Sequence, residues 1–151
     1  MIGPDKGDGS FQKTRDLSIR LGVQDKVEFP GRVAKKEVPS CLQKGDIFIN
    51  TTNIDNTPVS VMEAMTCGLC VVSTNVGGIP FLLEDGLDAL LVPPSMPDAM
   101  SSAVRRILSE PDLAEQLSSH AHQRAAQFDW KIILPIWEYL LESTAGVAAN
   151  G

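Results

Sequence analysis

Apolar positions along the chain fall into two kinds of pattern. Short, mostly apolar runs at residues 46–50, 70–74 and 89–92 end in glycine, proline or polar residues, while longer stretches carry apolar residues three and four apart. The runs predict strands and the spaced stretches predict helices. A first helix is expected from Ser10, as its cap, to a stop at Gly22, with Phe11, Leu17, Ile19 and Leu21 along its apolar stripe. Val27-Glu28-Phe29 alternates as a short strand closed by Pro30-Gly31, and residues 35–44 place Val38, Cys41 and Leu42 at helical spacing. Late in the chain, Met100, Ala103, Val104, Ile107 and Leu108 line one helix, and Leu113, Leu117, Ala121 and Phe128 line the next, with Pro111 between them. Residues 130–141 predict a last helix kinked at Pro135, and residues 143–151 a loose tail.

Apolar runs without strict alternation, separated by helical segments, belong to a parallel sheet covered on both faces, so the fold class is α/β. Met1-Ile2-Gly3-Pro4 has the look of a strand end running into a turn, which predicts that the sheet lacks elements preceding it.

With 151 residues the chain has the length of one ordinary domain. Residues 1–142 are expected to form that domain. The 43% apolar content marks a folded chain, and the 5% of aromatics makes its core aliphatic. A net charge of -6 repels polyanions and argues against nucleic acid or an anionic membrane as partner. No apolar run approaches the roughly 20 residues that cross a bilayer, and the polar start does not fit a signal peptide. Cys41, Cys67 and Cys70 are too few and too odd in number for a disulfide framework, which suits free thiols in the cytoplasm.

Chemistry concentrates after the run at 46–50, in Asp55-Asn56-Thr57-Pro58-Val59-Ser60-Val61-Met62-Glu63. Thr57 before Pro58 predicts an N-cap with proline at the first helical position. At 100° per residue, Pro58, Val61, Met62 and Met65 share one face, with Ser60, Glu63 and Cys67 opposite. The amides of Val59 and Ser60, backed by the helix dipole, suit a phosphate. Glu63 is either a solvated side chain or a ligand contact; the residues alone leave both open. The turn lies at a strand's carboxyl end, where open α/β sheets bind their ligands. A second such turn, Thr74-Asn75-Val76-Gly77-Gly78-Ile79-Pro80, would set another helix start at the same edge, with paired glycines for either a tight turn or close approach to a ligand.

Other constellations carry less. Gly3, Gly7 and Gly9 match neither dinucleotide nor triphosphate loop spacing. Cys67-Gly68-Leu69-Cys70 has redox spacing, but Gly68 fits a helix stop and Cys70 a strand start, so buried inert thiols are expected. His120 and His122 are two apart on a helix and project differently, so no metal is assigned.

The ordered series of motifs resembles the retaining nucleotide-sugar glycosyltransferases of the GT-B fold, family four, also described as glycosyl transferases group 1. The series runs Val27 to Gly31, Gly45 to Ile49, Asp55 to Pro58, Glu63-Ala64-Met65, Gly68 to Thr74, Val76 to Pro80, Glu84-Asp85-Gly86 and Leu91 to Pro94. The resemblance implies a Rossmann-like parallel sheet flanked by helices, the C-terminal half of a GT-B fold, N-terminally truncated. It implies transfer of a hexosyl group from a nucleotide-diphosphate sugar to an acceptor, without metal or cofactor. Asp55 occupies the place of a catalytic-site Glu that contacts the transferred sugar, one methylene shorter. Glu63 takes the place of the Glu that holds the ribose hydroxyls. Asn56, Thr57, Val59 and Ser60 would meet sugar and diphosphate, Arg32 and Val33 the base, and Gly77 and Gly78 the same cradle. Cys70 stands where a proline is usual, and Phe81 where an acidic residue often follows the proline. The family's diphosphate-binding Arg and Lys lie upstream of anything present, and Lys6 matches neither. The implied partners are the nucleotide sugar and an N-terminal acceptor domain, and the implied parent is cytoplasmic, peripheral at the inner membrane surface; separately, an incomplete sheet would expose an edge and apolar surface suited to self-association. This chain alone is not expected to turn over. A non-catalytic regulatory module and half of a sugar-nucleotide epimerase are the competing readings.

Overall fold

The computed structural model describes residues 1–5 and 7–148; Lys6 lies outside the described residues. The chain forms two compact units, Met1–Cys41 and Leu42–Gly151.

In the first unit, helix α1 spans Ser10–Arg20 with Gly9, not Ser10, at its N-cap; the Ser10 amide instead donates to Asp8 Oδ1 at 2.9 Å. The helix ends as expected at Gly22. Its positive φ of 66° lets the Gly22 and Val23 amides fold back onto the Ile19 and Ser18 carbonyls, a Schellman closure. The expected stripe is wrong beyond Phe11. Leu17, Ile19 and Leu21 are exposed, because at 100° per residue they fall about 80° to 120° round the helix from Phe11, on either side of it; Phe11, Thr14 and Ser18, at three- and four-residue spacing, turn inward. Phe11 meets Phe29 edge-on, ring centroids 5.4 Å apart. The strand expected at 27–29 does not form. Among the described residues of this unit the pairing is an isolated parallel bridge just after it, Ile2 with Gly31, too short to propagate a ladder. The helix expected over 35–44 is a 3₁₀ turn, Lys35–Glu37, followed by a short α2, Val38–Leu42.

The second unit holds a parallel sheet in the order β1 (Ile47–Asn50), β2 (Cys70–Thr74), β3 (Ala89–Val92). Ile47 pairs with Cys70, and Val71 with Ala89. Every residue of β2 is buried, as a central strand covered on both faces requires. Crossovers run through α3 (Val59–Thr66) and the short α4 (Ile79–Leu82). Then come α5 (Pro97–Ser109), α6 (Leu113–Ala125), a 3₁₀ turn (Ala126–Phe128) and α7 (Trp130–Ala148). Ala103 and Ile107 of α5 and Leu117 of α6 close one core with Cys70, Val72, Leu90 and Val92. Leu108 and Phe128 fall outside it and are exposed; Leu108 sits 100° round the helix from Ile107, and Phe128 lies past the end of α6. Helix α7 runs through Pro135 and continues over residues 143–148, where a tail was expected; residues 149–151 lie outside the described residues.

The core reaches from the sheet into α6 through an ion pair. Arg124 Nη1 lies 3.1 Å from Asp88 Oδ2, and the buried Asp88 also accepts the Glu84 amide at 3.0 Å.

Candidate functional site

Because all three strands are parallel, their carboxyl ends lie at one edge, and the loops 51–58, 75–78 and 93–96 emerge there together. Pro58, not Thr57, is the N-cap of α3: its ψ of 108° keeps it out of the helix while its carbonyl accepts the Val61 amide at 3.0 Å and the Met62 amide at 3.3 Å. The Val59 and Ser60 amides precede those donors, so they are the orphan N–H groups of the helix start, on two exposed residues.

Glu63 is half-buried one turn further on, at i+4 from Val59 and i+3 from Ser60, and so on their flank of the helix. The core face of α3 is made instead by Val61, Ala64 and Met65, with Pro58 beneath them. Asp55 is half-buried, and Asn56 and Thr57 are exposed. The Asp55 carbonyl accepts the Gly78 amide at 3.0 Å, so the first turn is bonded to the second. The structure thus brings Asp55, Asn56, Thr57, Val59, Ser60, Glu63, Gly77 and Gly78 to one sheet edge. Arg32, exposed, and Val33, half-buried, belong to the first unit.

The third loop was not anticipated as part of this edge. It contributes Ser95 and Met96 to an apolar cavity of about 610 Å³ whose other walls include Ile49, Thr51, Asn53 and Met100. The available signal was Pro93-Pro94 closing a strand parallel to the other two, which puts the residues after it beside the first two turns.

The remaining candidates stay apart from the edge. Gly68 terminates α3 with φ 78° and Cys70 opens β2, as their spacing implied. Burial pushes the Cys70 thiol up from its ordinary value, Asp46 adding to the effect, and its Sγ lies 3.2 Å from the Ala114 carbonyl. Such a thiol is held protonated and unreactive. His122 is exposed; His120 is half-buried, with its Nδ1 buried and without a hydrogen-bond partner. Among the described residues no group of three or more His, Cys, Asp or Glu is placed to hold a metal ion. No helix among them is long and apolar enough to cross a membrane.

Residues 1–124 match the family described as glycosyl transferases group 1. The chain belongs to that family. A D-inositol 3-phosphate glycosyltransferase of Streptomyces bingchenggensis is 27% identical over 132 residues, 86% of this chain and 29% of the relative. An alpha-D-kanosaminyltransferase of Streptomyces kanamyceticus is 29% identical over 116 residues, 76% of this chain and 30% of its own length. The crystal structure of Anabaena Alr3699/HepE in complex with UDP superposes with a TM-score of 0.84 at 25% identity, over 93% of this chain and 40% of that one. The chain spans less than a third of the length of the two curated relatives. Its parallel sheet and flanking helices are the Rossmann-like C-terminal half of a GT-B glycosyltransferase fold.

Proposed function

We propose that this group 1 glycosyltransferase chain is the nucleotide-sugar donor site of a retaining enzyme that passes a hexosyl group to an acceptor. The observation that carries this reading is the exposed start of α3: two orphan amides, Val59 and Ser60, with the Glu63 carboxylate on the same flank and no core residue over them. A diphosphate would take the amides and the positive end of the helix dipole, and the ribose hydroxyls would donate to Glu63. Asp55 and the polar groups of Asn56 and Thr57 would face the sugar. The UDP held by the Anabaena relative supports this ligand class.

Breaking the sugar–phosphate bond leaves added negative charge on the diphosphate. Amides already aimed at that charge lower the barrier because they need no reorganisation as it develops. No residue here is asked to supply a metal or cofactor. The acceptor would be held by an N-terminal domain, and turnover would need both. The exposed apolar side chains of α7 support self-association when that domain is not present. Three free thiols support a cytoplasmic setting.

Titration with UDP and UDP-glucose, followed by amide NMR, tests the site. Shifts are expected at residues 56–63, with affinity about tenfold weaker in Glu63→Ala, the loss of one charged hydrogen-bond acceptor. Unmoved amides across 56–63 at millimolar nucleotide would overturn the assignment.

A further inference from the structure

Gly77 and Gly78 are packed against protein on the side where a side chain would be. A Cβ on Gly77 would meet the Asp55 carbonyl oxygen at 1.8 Å, and one on Gly78 the Asn56 carbonyl oxygen at 1.6 Å. Both obstacles are backbone, so relief requires the turn itself to move. The two positions differ in a useful way. Gly77 has a φ of 55°, which disfavours any side chain, whereas Gly78, at φ -86° and ψ -5°, has a backbone that alanine adopts freely. The need for glycine at 78 therefore comes from close approach alone. Gly68 and Gly86, by contrast, have positive φ with nothing within 4 Å of the place a Cβ would take.

Hydrogen bonds run across the same seam. The Thr74 hydroxyl donates to the Thr52 carbonyl, the Gly78 amide donates to the Asp55 carbonyl at 3.0 Å, and Asn50 Nδ2 donates to Ser73 Oγ at 3.1 Å where the strands end. Ser73 and Thr74 are buried, so water does not compete strongly for these bonds.

We propose that Gly77, Gly78 and Thr74 are positioning residues: they lock the 52–56 segment onto the loop after β2 and so fix where Asp55 and the first residues of α3 stand at the sheet edge. The lock rests on the contacts above; its effect on donor binding rests on the donor-site reading. In this arrangement the glycines act through the neighbouring turn, and what they leave for a ligand is the far side of that turn. Opening the Gly78 contact from 1.6 Å to the 3.0 Å that real Cβ atoms respect demands a displacement of at least about 1.4 Å. Misplacements of about 1 Å cost up to about a hundredfold where groups must be aligned.

The test uses the 151-residue chain as it stands. Gly78→Ala is expected to move the amide resonances of residues 53–59 and to weaken UDP binding by about tenfold or more. Gly86→Ala, which adds φ strain without a collision, should leave both readouts as in the wild type. Thr74→Val removes the hydroxyl and should shift the same amides, while Thr74→Ser, which keeps a donor, should restore them; this pair decides the matter if Gly78→Ala does not fold. Wild-type resonances at 53–59 in both Gly78→Ala and Thr74→Val would overturn the lock, as would equal shifts in Gly86→Ala. If those resonances move but the wild-type chain takes no UDP, the lock stands and the donor-site reading fails.

Discussion

Helices α6 and α7 follow one another in the chain and meet opposite fates. Leu117 and Ala121 of α6 are fully buried, and α6 packs on β2 and α3. In α7, Trp130 is 74% exposed and Tyr139 75%, with Ile136, Trp137 and Leu141 also largely open, and the helix rests on the 3₁₀ turn before it. The difference lies in the width of the apolar arc. On α6 the apolar positions 113, 117 and 121 make a narrow stripe that one neighbouring surface covers. On α7, at 100° per residue, Lys131, Glu138 and Glu142 gather in one sector while apolar residues fill more than half the circumference. A narrow stripe is satisfied by the fold, whereas a wide one asks for surroundings on several sides. Hydrophobic free energy is realised only where surface leaves water, so the same residue types stabilise the unit in α6 and not in α7.

The comparison is sharpest at Leu117. Truncation to alanine removes packing from a fully buried site, and Leu117→Ala should cost about 3 kcal/mol in urea unfolding. A loss under about 1 kcal/mol would mean that α6 is not part of the cooperative core.

The second effect concerns the polar tie between α6 and the sheet. Asp88→Ala strips the carboxylate from Arg124, which keeps the Phe81 carbonyl at 3.4 Å, and the acceptor from the Glu84 amide. Arg124 keeps some access to water, so the expected cost is about 2 kcal/mol, below that of breaking a fully buried pair. Asp88→Asn, which still accepts the Glu84 amide, should recover part of it. Equal stability of all three proteins would leave the tie without energetic weight.

How much of this was legible follows from where each feature gets its cause. Strands β2 and β3 could be bounded to the residue because an apolar run ends where its local turn begins. The segment at 27–29 could not be judged in the same way. Its alternation is suitable, but a strand needs a partner of matching length, and beside it the described residues of its unit offer the isolated bridge of Ile2 with Gly31. Around the candidate site, the helix start was visible to within one residue, because proline and the polar turn are local signals. The role of Gly78 was not visible, because its obstacle, the Asn56 carbonyl, lies 22 positions earlier and is brought close only by the parallel sheet. Leu17, Ile19 and Leu21 mislead for a simpler reason: they are apolar in type but do not fall on the helix face that Phe11 sets.

The smallest expected effect is the most discriminating for the pair of helices. Trp137→Lys and Leu140→Lys place charge on side chains of α7 that are already 54% and 48% exposed. About half of each side chain is already in water, so unfolding free energy should stay within about 0.5 kcal/mol of the wild type, as at other surface sites. Lysine is also a good helix former, so the helix itself is not penalised. The same charges should reduce any concentration-dependent association seen by sedimentation, because they interrupt the apolar arc. A loss above about 1 kcal/mol in the monomer would show that α7 folds back onto its own unit, and the contrast with α6 would then be one of degree rather than of kind.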